Sequence, residues 1–351
     1  MISRQTFMWC ASASLLVALP LGAPVLAQTR TLAEVASYQG PDRTERLVDG
    51  AKKEGTVTVY SSSVAEDMNP VTDAFKKKYG IEVQFWRSSS ENVVQRAVAE
   101  NRAGRCLVDA FTTVAVELES MHREQLFQAV KSPLTAELMP QALRPHGDWV
   151  ATRLNIFSAA YNTNLVKKDE VPKSYDDLKD PRWKGRLAIE PGDTDWFSAI
   201  VTKMGPEKAV NVLKAIAQTN GFSFRKGHTL LANLVAAGEV PLALTVYSYK
   251  PEQLKKAGAP IEPLYLSPLV ALANGAAVAR CATHPNAAVL FYDFMVADAQ
   301  EILAKRDIVP TNLKIKPLPP GVELTFVEPA EILDNRTKWD ELWDKTVIKP
   351  Q

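Results

Sequence analysis

The stretch from residue 56 to residue 111 constrains the fold more than any other part of the chain. It opens with TVTVY at 56–60, which alternates and is rich in β-branched residues, and continues into VAEDMNPVTDAFKKKYG, a helical pattern stopped by Gly80. IEVQFW at 81–86 reads as a second strand, ENVVQRAVAENRAG as a second helix stopped by Gly104, and LVDAF at 107–111 as a third strand. Strands separated by single helices pair in parallel through helical crossovers. An open α/β sheet is therefore predicted, and the ligands of such sheets bind beyond the carboxyl ends of the strands.

The rest of the chain continues in kind. Residues before Thr56 read as a polar leader, and DWVATRLNIFSAAYNTNLV at 148–166 reads as one long extended segment. A second α/β stretch follows, with strand RLAIEP, helices WFSAIVTKMG, PEKAVNVLKAIAQ and HTLLANLVAAG, and strand VPLALTVY. ALANGAAVAR is strand-like, helices cover 286–296 and 298–306, and an irregular arm with Pro310, Pro317, Pro319 and Pro320 leads to a last helix near Trp339 and Trp343.

Lys plus Arg number 41 against 40 Asp plus Glu, so there is no concentrated positive surface and no expectation of nucleic-acid binding. The first 27 residues carry Arg4, an apolar run from Phe7 to Leu26 broken by Pro20 and Pro24, and a small-residue end at Ala27. This pattern predicts a secretory signal peptide cut before Gln28. The alternative, a membrane anchor, wants about 18 to 20 uninterrupted apolar residues. Cys10 precedes the apolar core, so no lipid attachment is expected there. Removing the leader leaves Cys106 and Cys281, an even pair in an oxidising compartment, which either form a disulfide or stand as two separate buried thiols.

Two strand-to-helix junctions carry serine triplets. YSSSVAED places Ser61, Ser62 and Ser63 after the first strand, and WRSSSENVV places Arg87 and then Ser88, Ser89 and Ser90 after the second. Ser63 with Glu66 and Ser88 with Glu91 fit the S-x-x-E capping box, in which one hydroxyl caps the helix and is worth about 1 kcal/mol. The surplus hydroxyls, the free helix N–H groups and the Arg87 guanidinium together suit a carboxylate or phosphate; a surface salt bridge is the plainer use of Arg87. Thr112 and Thr113 follow the third strand. A further junction, EPGDTDWFSAI at 190–200, offers Thr194 or Asp195 as cap, and its Asp193 and Asp195 oppose an anion unless they face away or meet an amine or metal. Trp196 either walls a ligand or packs into the core. Arg153, on the long extended segment, is a second anion contact or a structural salt bridge.

YNTNLV, VPKSYDDLKDPRWKGRLAIEP, TLLANLVAAGEVPLALTVY, KKAGAPIEPLY and CATHPNAAVLFYDFMVADAQEILAKRDIVPT resemble the extracellular solute-binding proteins of bacterial ABC importers, in the branch that includes the ferric-ion-binding proteins. The resemblance implies a type II periplasmic-binding-protein fold, two α/β lobes closing on a ligand by hinge motion, with residues 28–156 and 266–351 in one lobe and 157–265 in the other. Hinges are then expected near 155–160 and 264–268. It implies a periplasmic location, a monomer, a small-molecule ligand, permease subunits as partners, no cofactor and no catalysis. The histidines His122, His146, His228 and His284 agree, since none lies in a catalytic or metal motif. In the same topology Cys106 and Cys281 come together at adjacent strand ends, so the disulfide is expected.

Ferric binders of that branch place a histidine after the first strand, a glutamate after the third and two adjacent tyrosines after a G-E-V turn. Here the matching stretches are YSSSVAED, DAFTTVAVE with Val114 at the acid position, and GEVPLALTVYSY with Ser248 between Tyr247 and Tyr249. Hydroxyls and isolated phenols are poor ferric ligands without a carboxylate. The expected ligand is a small carboxylate-like anion held nearest Arg87, facing Ser61, Ser62, Ser88 and Ser89 from one lobe and Thr194, Tyr247 and Tyr249 from the other. A metal-ion receptor, a secreted α/β enzyme and a chemoreceptor are the competing readings.

Overall fold

The computed structural model describes Met1, residues 30–316, residue 318 and residues 322–350. The expected signal peptide, beyond Met1, lies outside the described residues, as do Pro317, Pro319 and Pro320 of the C-terminal arm. No helix among the described residues is long and apolar enough to cross a membrane.

The strands in chain order are β1 Thr56–Ser61, β2 Glu82–Arg87, β3 Ala110–Val114, β4 Phe127–Gln128, β5 Trp149–Asn162, β6 Leu187–Ile189, β7 Ser223–Phe224, β8 Leu242–Tyr247, β9 Ile261–Leu264, β10 Leu269–Ala279, β11 Val309–Pro310 and β12 Leu324–Phe326. The main path of the sheet is β2-β1-β3-β10-β5-β8-β6-β7. β1 pairs in parallel with both β2 and β3, and helices Ala65–Tyr79 and Ser90–Arg102 make the crossovers. This is the β-α-β-α-β unit expected from 56–111. β10 returns antiparallel between β3 and β5.

β5 joins the two halves of the sheet. Its first part pairs with β10 from Trp149 to Ile156, and its last part pairs with β8 and β9 from Phe157 to Asn162. Almost every residue of this strand is buried. Between Asn274 and Gly275 the β10–β5 register shifts, and a Cβ on Gly275 would meet the Val150 carbonyl oxygen at 2.3 Å. The missing side chain lets the two strands close at the irregularity. Asn274, beside it, lines the cleft described below.

One hydrophobic cluster gathers β1, β3, helix Ala65–Tyr79 and helix Pro285–Val296. Another gathers Phe157, Trp183, Trp196, Phe197 and Leu242 with Ile332, Trp339 and Trp343. Helix Arg336–Trp343 therefore packs against helix Thr194–Met204, while Pro329–Asp334 packs against helix Ala115–Arg123. Trp343 touches the rings of Phe197 at 5.3 Å and Trp196 at 6.4 Å, and its indole N–H donates to the Pro191 carbonyl at 2.8 Å.

Several expectations are corrected. The polar stretch before Thr56 holds a helix that was not predicted, Arg43–Glu54, pinned by a buried Arg43–Asp293 ion pair at 2.9 Å. The third strand starts at Ala110, three residues late, because Leu107 is exposed and the Asp109 carboxylate turns aside to accept the N–H groups of Thr58 and Thr283. That later start leaves Cys106 and Cys281 beyond the last ladder pair, Val278 with Ala110. They are free thiols rather than a disulfide, although the Cys281 thiol hydrogen-bonds with that of Cys106 and is pushed up to about 12, chiefly by burial. Finally, Tyr247 and Tyr249 do not share an extended segment, because β8 ends at Tyr247 and Tyr249 opens helix Tyr249–Lys256.

Candidate functional site

The carboxyl ends of β1, β2 and β3 open on a cleft of about 830 Å³, closed on its other side by β8 and the residue 190–195 and 226–230 turns. Of the residues read from the sequence, Ser62, Arg87, Ser89, Asp195, Tyr247 and Tyr249 line it. Ser61, Ser88, Thr112, Thr113, Thr194 and Trp196 do not.

The first serine triplet is wired into the fold. Ser61 Oγ accepts from Thr112 Oγ1 at 2.7 Å and from the Ser63 N–H at 3.1 Å. Ser62 Oγ accepts from Thr113 Oγ1 at 3.0 Å. Thr112 and Thr113 were expected beyond the third strand; β3 runs on to Val114, so both are buried within it. Ser63 does not cap a helix. Val64 is the N-cap of Ala65–Tyr79 and makes no side-chain cap bond, while Ser63 Oγ accepts from Arg153 Nη2 at 2.7 Å.

The second triplet does the capping that the sequence predicts, one residue later than expected. Ser89, not Ser88, receives the Asn92 N–H at 3.3 Å, and Ser88 Oγ accepts from the Asn92 side chain at 3.0 Å. Arg87 lines the cleft and is exposed. Trp196 packs in the core beside Tyr175 and Trp343, and Thr194 is buried behind the turn.

Arg153 is the dominant charge. It sits on β5 with Asn155 and Phe157, and the two-residue period of the strand turns all three toward the cleft. Its side chain is buried, with only 4% of the residue exposed, and no carboxylate among the described residues reaches it within salt-bridge distance. Nη2 is used by Ser63, whereas Nε and Nη1 are buried and meet no acceptor. Leaving a buried guanidinium half-satisfied is costly, since each unmet charged donor forfeits a hydrogen bond and its hydration. The structural salt bridge considered for Arg153 is absent among the described residues.

The opposite side is acidic. Asp193 Oδ1 lies 2.9 Å from His228 Nε2, and Asp195 Oδ1 lies 3.4 Å from Arg336 Nη1, so neither carboxylate faces the cleft unaccompanied. Asp193 Oδ2 is buried without a partner. Burial pushes Asp195 up to about 6 against the opposing pull of Arg336, and pushes Glu117 up to about 8 with Asp195 and Glu91 adding to the effect. Glu190, raised by burial and then by Asp193, accepts the Gly192 and Gly227 N–H groups and so ties the two turns together.

An aromatic row spans the floor. His228 stacks on Tyr247 with centroids 4.0 Å apart, Phe157 meets Tyr247 edge-on at 5.2 Å, and Tyr249 lies 6.3 Å further along. Burial raises Tyr247 well above the ordinary phenol value and Tyr249 to about 12, with Arg153 pulling Tyr249 the other way. Both are hydroxyls at neutral pH. Phe157, Asn155 and His228 escaped the sequence reading; the available signal was the polar pair Arg153 and Asn155 at alternate positions of an apolar strand.

A family model for bacterial extracellular solute-binding proteins matches residues 117–345. The chain belongs to that family. This solute-binding protein is 29% identical over 202 residues to the Fe(3+)-binding periplasmic protein of Serratia marcescens, covering 56% of this chain and 57% of that one. It is 24% identical over 287 residues to iron uptake protein A1 of Synechocystis, covering 77% and 78%. The periplasmic binding protein AfuA of Actinobacillus pleuropneumoniae, solved with fructose-6-phosphate bound, superposes with a TM-score of 0.72 at 20% identity over 84% of this chain and 99% of AfuA. Iron-bound HitA of Pseudomonas aeruginosa gives 0.68 at 22% identity over 83% and 99%. The fold is thus that of the periplasmic binding proteins.

Proposed function

We propose that this protein is the periplasmic solute receptor of a bacterial ABC importer, exported by residues 1–27, and that it carries a small organic anion in the cleft to permease subunits without catalysing a reaction. The observation that carries this reading is Arg153, a buried guanidinium with two N–H groups that have no acceptor in the protein. An anion with two oxygens would complete that fork and neutralise the charge. Ser62 and the more exposed Arg87 add donors at the cleft mouth, and Tyr247, Tyr249 and Phe157 give an aromatic wall for the rest of the solute. Ser61, Thr112 and Thr113 act behind Ser62 and Ser63, holding them in place. Ser88 and Ser89 serve the helix, and Thr194 and Trp196 support the turn that presents Asp195. AfuA, solved with fructose-6-phosphate bound, supports an anionic organic cargo on this fold.

The lobes are assigned to residues 28–156 with 266 onward, and to 157–265, with hinges where β5 passes from β10 to β8 and where β9 leads into β10. Closure about those hinges would bring Asp193 and Asp195 toward a solute held at Arg153.

Ferric iron is the second reading, favoured by two phenols in the cleft and by the names of the Serratia and Synechocystis relatives. It requires both raised phenols to lose their protons, with Val114 where the branch carries an acid. Protein purified gently from periplasm, then denatured, discriminates by mass spectrometry and visible absorption. The expected result is one carboxylate or phosphate compound per chain and no tyrosinate-to-iron band. Stoichiometric iron with such a band overturns the proposal.

A further inference from the structure

Away from the cleft, helix Ala115–Arg123 carries Glu119 and His122 on one face, one turn apart, and His146 approaches from the turn that leads into β5. One carboxylate oxygen and one nitrogen from each imidazole all lie within 4.8 Å of one another. None of the three residues lines the cleft. The two imidazoles stack, with centroids 3.8 Å apart and 15° between their planes.

The surroundings are those of a ligand set. Asp148 Oδ2 lies 2.6 Å from His122 Nδ1, which leaves Nε2 as the nitrogen free to coordinate. A carboxylate behind a histidine in this way fixes the tautomer and orientation that a metal requires. Glu119 is buried, and its hydrogen-bond donor is the Trp149 indole N–H at 3.3 Å. Its ionic neighbour among the described residues is His146, whose Nε2 lies 3.4 Å away, buried and without a hydrogen-bond partner. The Glu119 carboxylate and His146 Nε2 thus face each other without a hydrogen bond between them, an unfavourable state for two buried polar groups.

We propose that Glu119, His122 and His146 bind one divalent transition-metal ion of the zinc, cobalt or nickel class, with solvent completing the coordination. Two imidazoles and a carboxylate suit these borderline ions, and three protein ligands with an open position is a familiar zinc arrangement. His122 and His146 are both partly exposed, so an ion has access. Binding at His146 Nε2 transfers the ring proton to Nδ1. The bond that Nδ1 now accepts from the Asp148 backbone N–H at 3.1 Å is given up, and the ring turns out of the stack. No net proton is released by that exchange. Such an ion would tie helix Ala115–Arg123 to the start of β5; it is not the imported solute.

The test uses the chelator-treated, full-length purified protein titrated with Zn²⁺ by calorimetry and with Co²⁺ by visible absorption. The expected result is one ion per chain and a cobalt spectrum of imidazole and carboxylate ligation. His122→Gln and His146→Ala should each lose at least tenfold in affinity, and Asp148→Asn, which keeps all three ligands, about 10- to 100-fold. Tyr247→Phe, in the cleft, should leave the titration unchanged. Circular dichroism identifies any variant that fails to fold, in which case the remaining two decide. No saturable binding by the parent, or parental affinity in the folded variants, overturns the proposal.

Discussion

The two serine triplets have the same composition and the same position after a strand, yet they do different work. Ser61 ends β1 and Ser62 and Ser63 follow it; β1 has β2 on one side and β3 on the other, so their hydroxyls meet Thr112, Thr113 and Arg153. Ser88, Ser89 and Ser90 follow β2, at the end of the main sheet path, and there the available partner is Asn92 of the helix that starts next to them. A hydroxyl at a central strand end is surrounded by protein and joins a polar network. The same hydroxyl at an edge faces its own helix and becomes a cap. The anion site we propose therefore draws on the central junction, through Ser63 and Arg153.

Substitutions can break that contrast, and the largest effect should come from Arg153→Met. With the guanidinium removed, affinity for the released native solute should fall by about 2 to 5 kcal/mol, measured by calorimetry, while thermal stability holds or rises because an unpaired buried charge is gone. Ser63→Ala leaves Nη2 without its acceptor and should cost about 1 to 2 kcal/mol of binding. Ser89→Ala should do the reverse, lowering unfolding free energy by about 1 kcal/mol in urea while affinity changes little. Arg87→Ala, at an exposed position, should weaken binding by only about 0 to 1 kcal/mol. Equal binding losses at Ser63 and Ser89 would remove the distinction between the two junctions.

The smallest effect on binding should come from the acidic side, where the readout is a pH dependence of stability. Glu117 ionises near 8 in the fold against an ordinary value of 4.5. Between those values the folded state holds a proton that the unfolded chain has released, so stability falls as pH rises through that window. Glu117→Gln should match the parent near pH 4.5 and melt about 6 °C above it at pH 8.5. A constant difference across that range would show that Glu117 titrates normally.

Much of the first half of the fold was legible because strand alternation and the Gly80 and Gly104 stops are local signals. The placement of Cys106 beside Cys281 was also topological, but bonding was not, since Asp109 ends the ladder before the cysteines. The cleft was legible as strand ends and less so as residues. Thr112 and Thr113 were misplaced because β3 begins three residues late, a shift set by a side-chain bond that no periodicity records. Trp196 went into the core because the C-terminal helices supply Trp343 from 147 positions away. Tyr249 reaches the cleft by opening a helix that the alternation of LALTVY concealed. Arg153 was visible as a charged residue in an apolar strand; its lack of an acidic partner needed three dimensions.

The most direct measurement is calorimetric titration of the parent and Arg153→Met with the solute released from the native protein and with an uncharged analogue in which its acidic group is blocked. The account predicts that the parent prefers the anion by about 2 to 5 kcal/mol and that Arg153→Met binds both compounds with the same weak affinity. If Arg153→Met keeps the parental preference for the anion, the charge is read elsewhere in the cleft and the central role given to Arg153 is wrong.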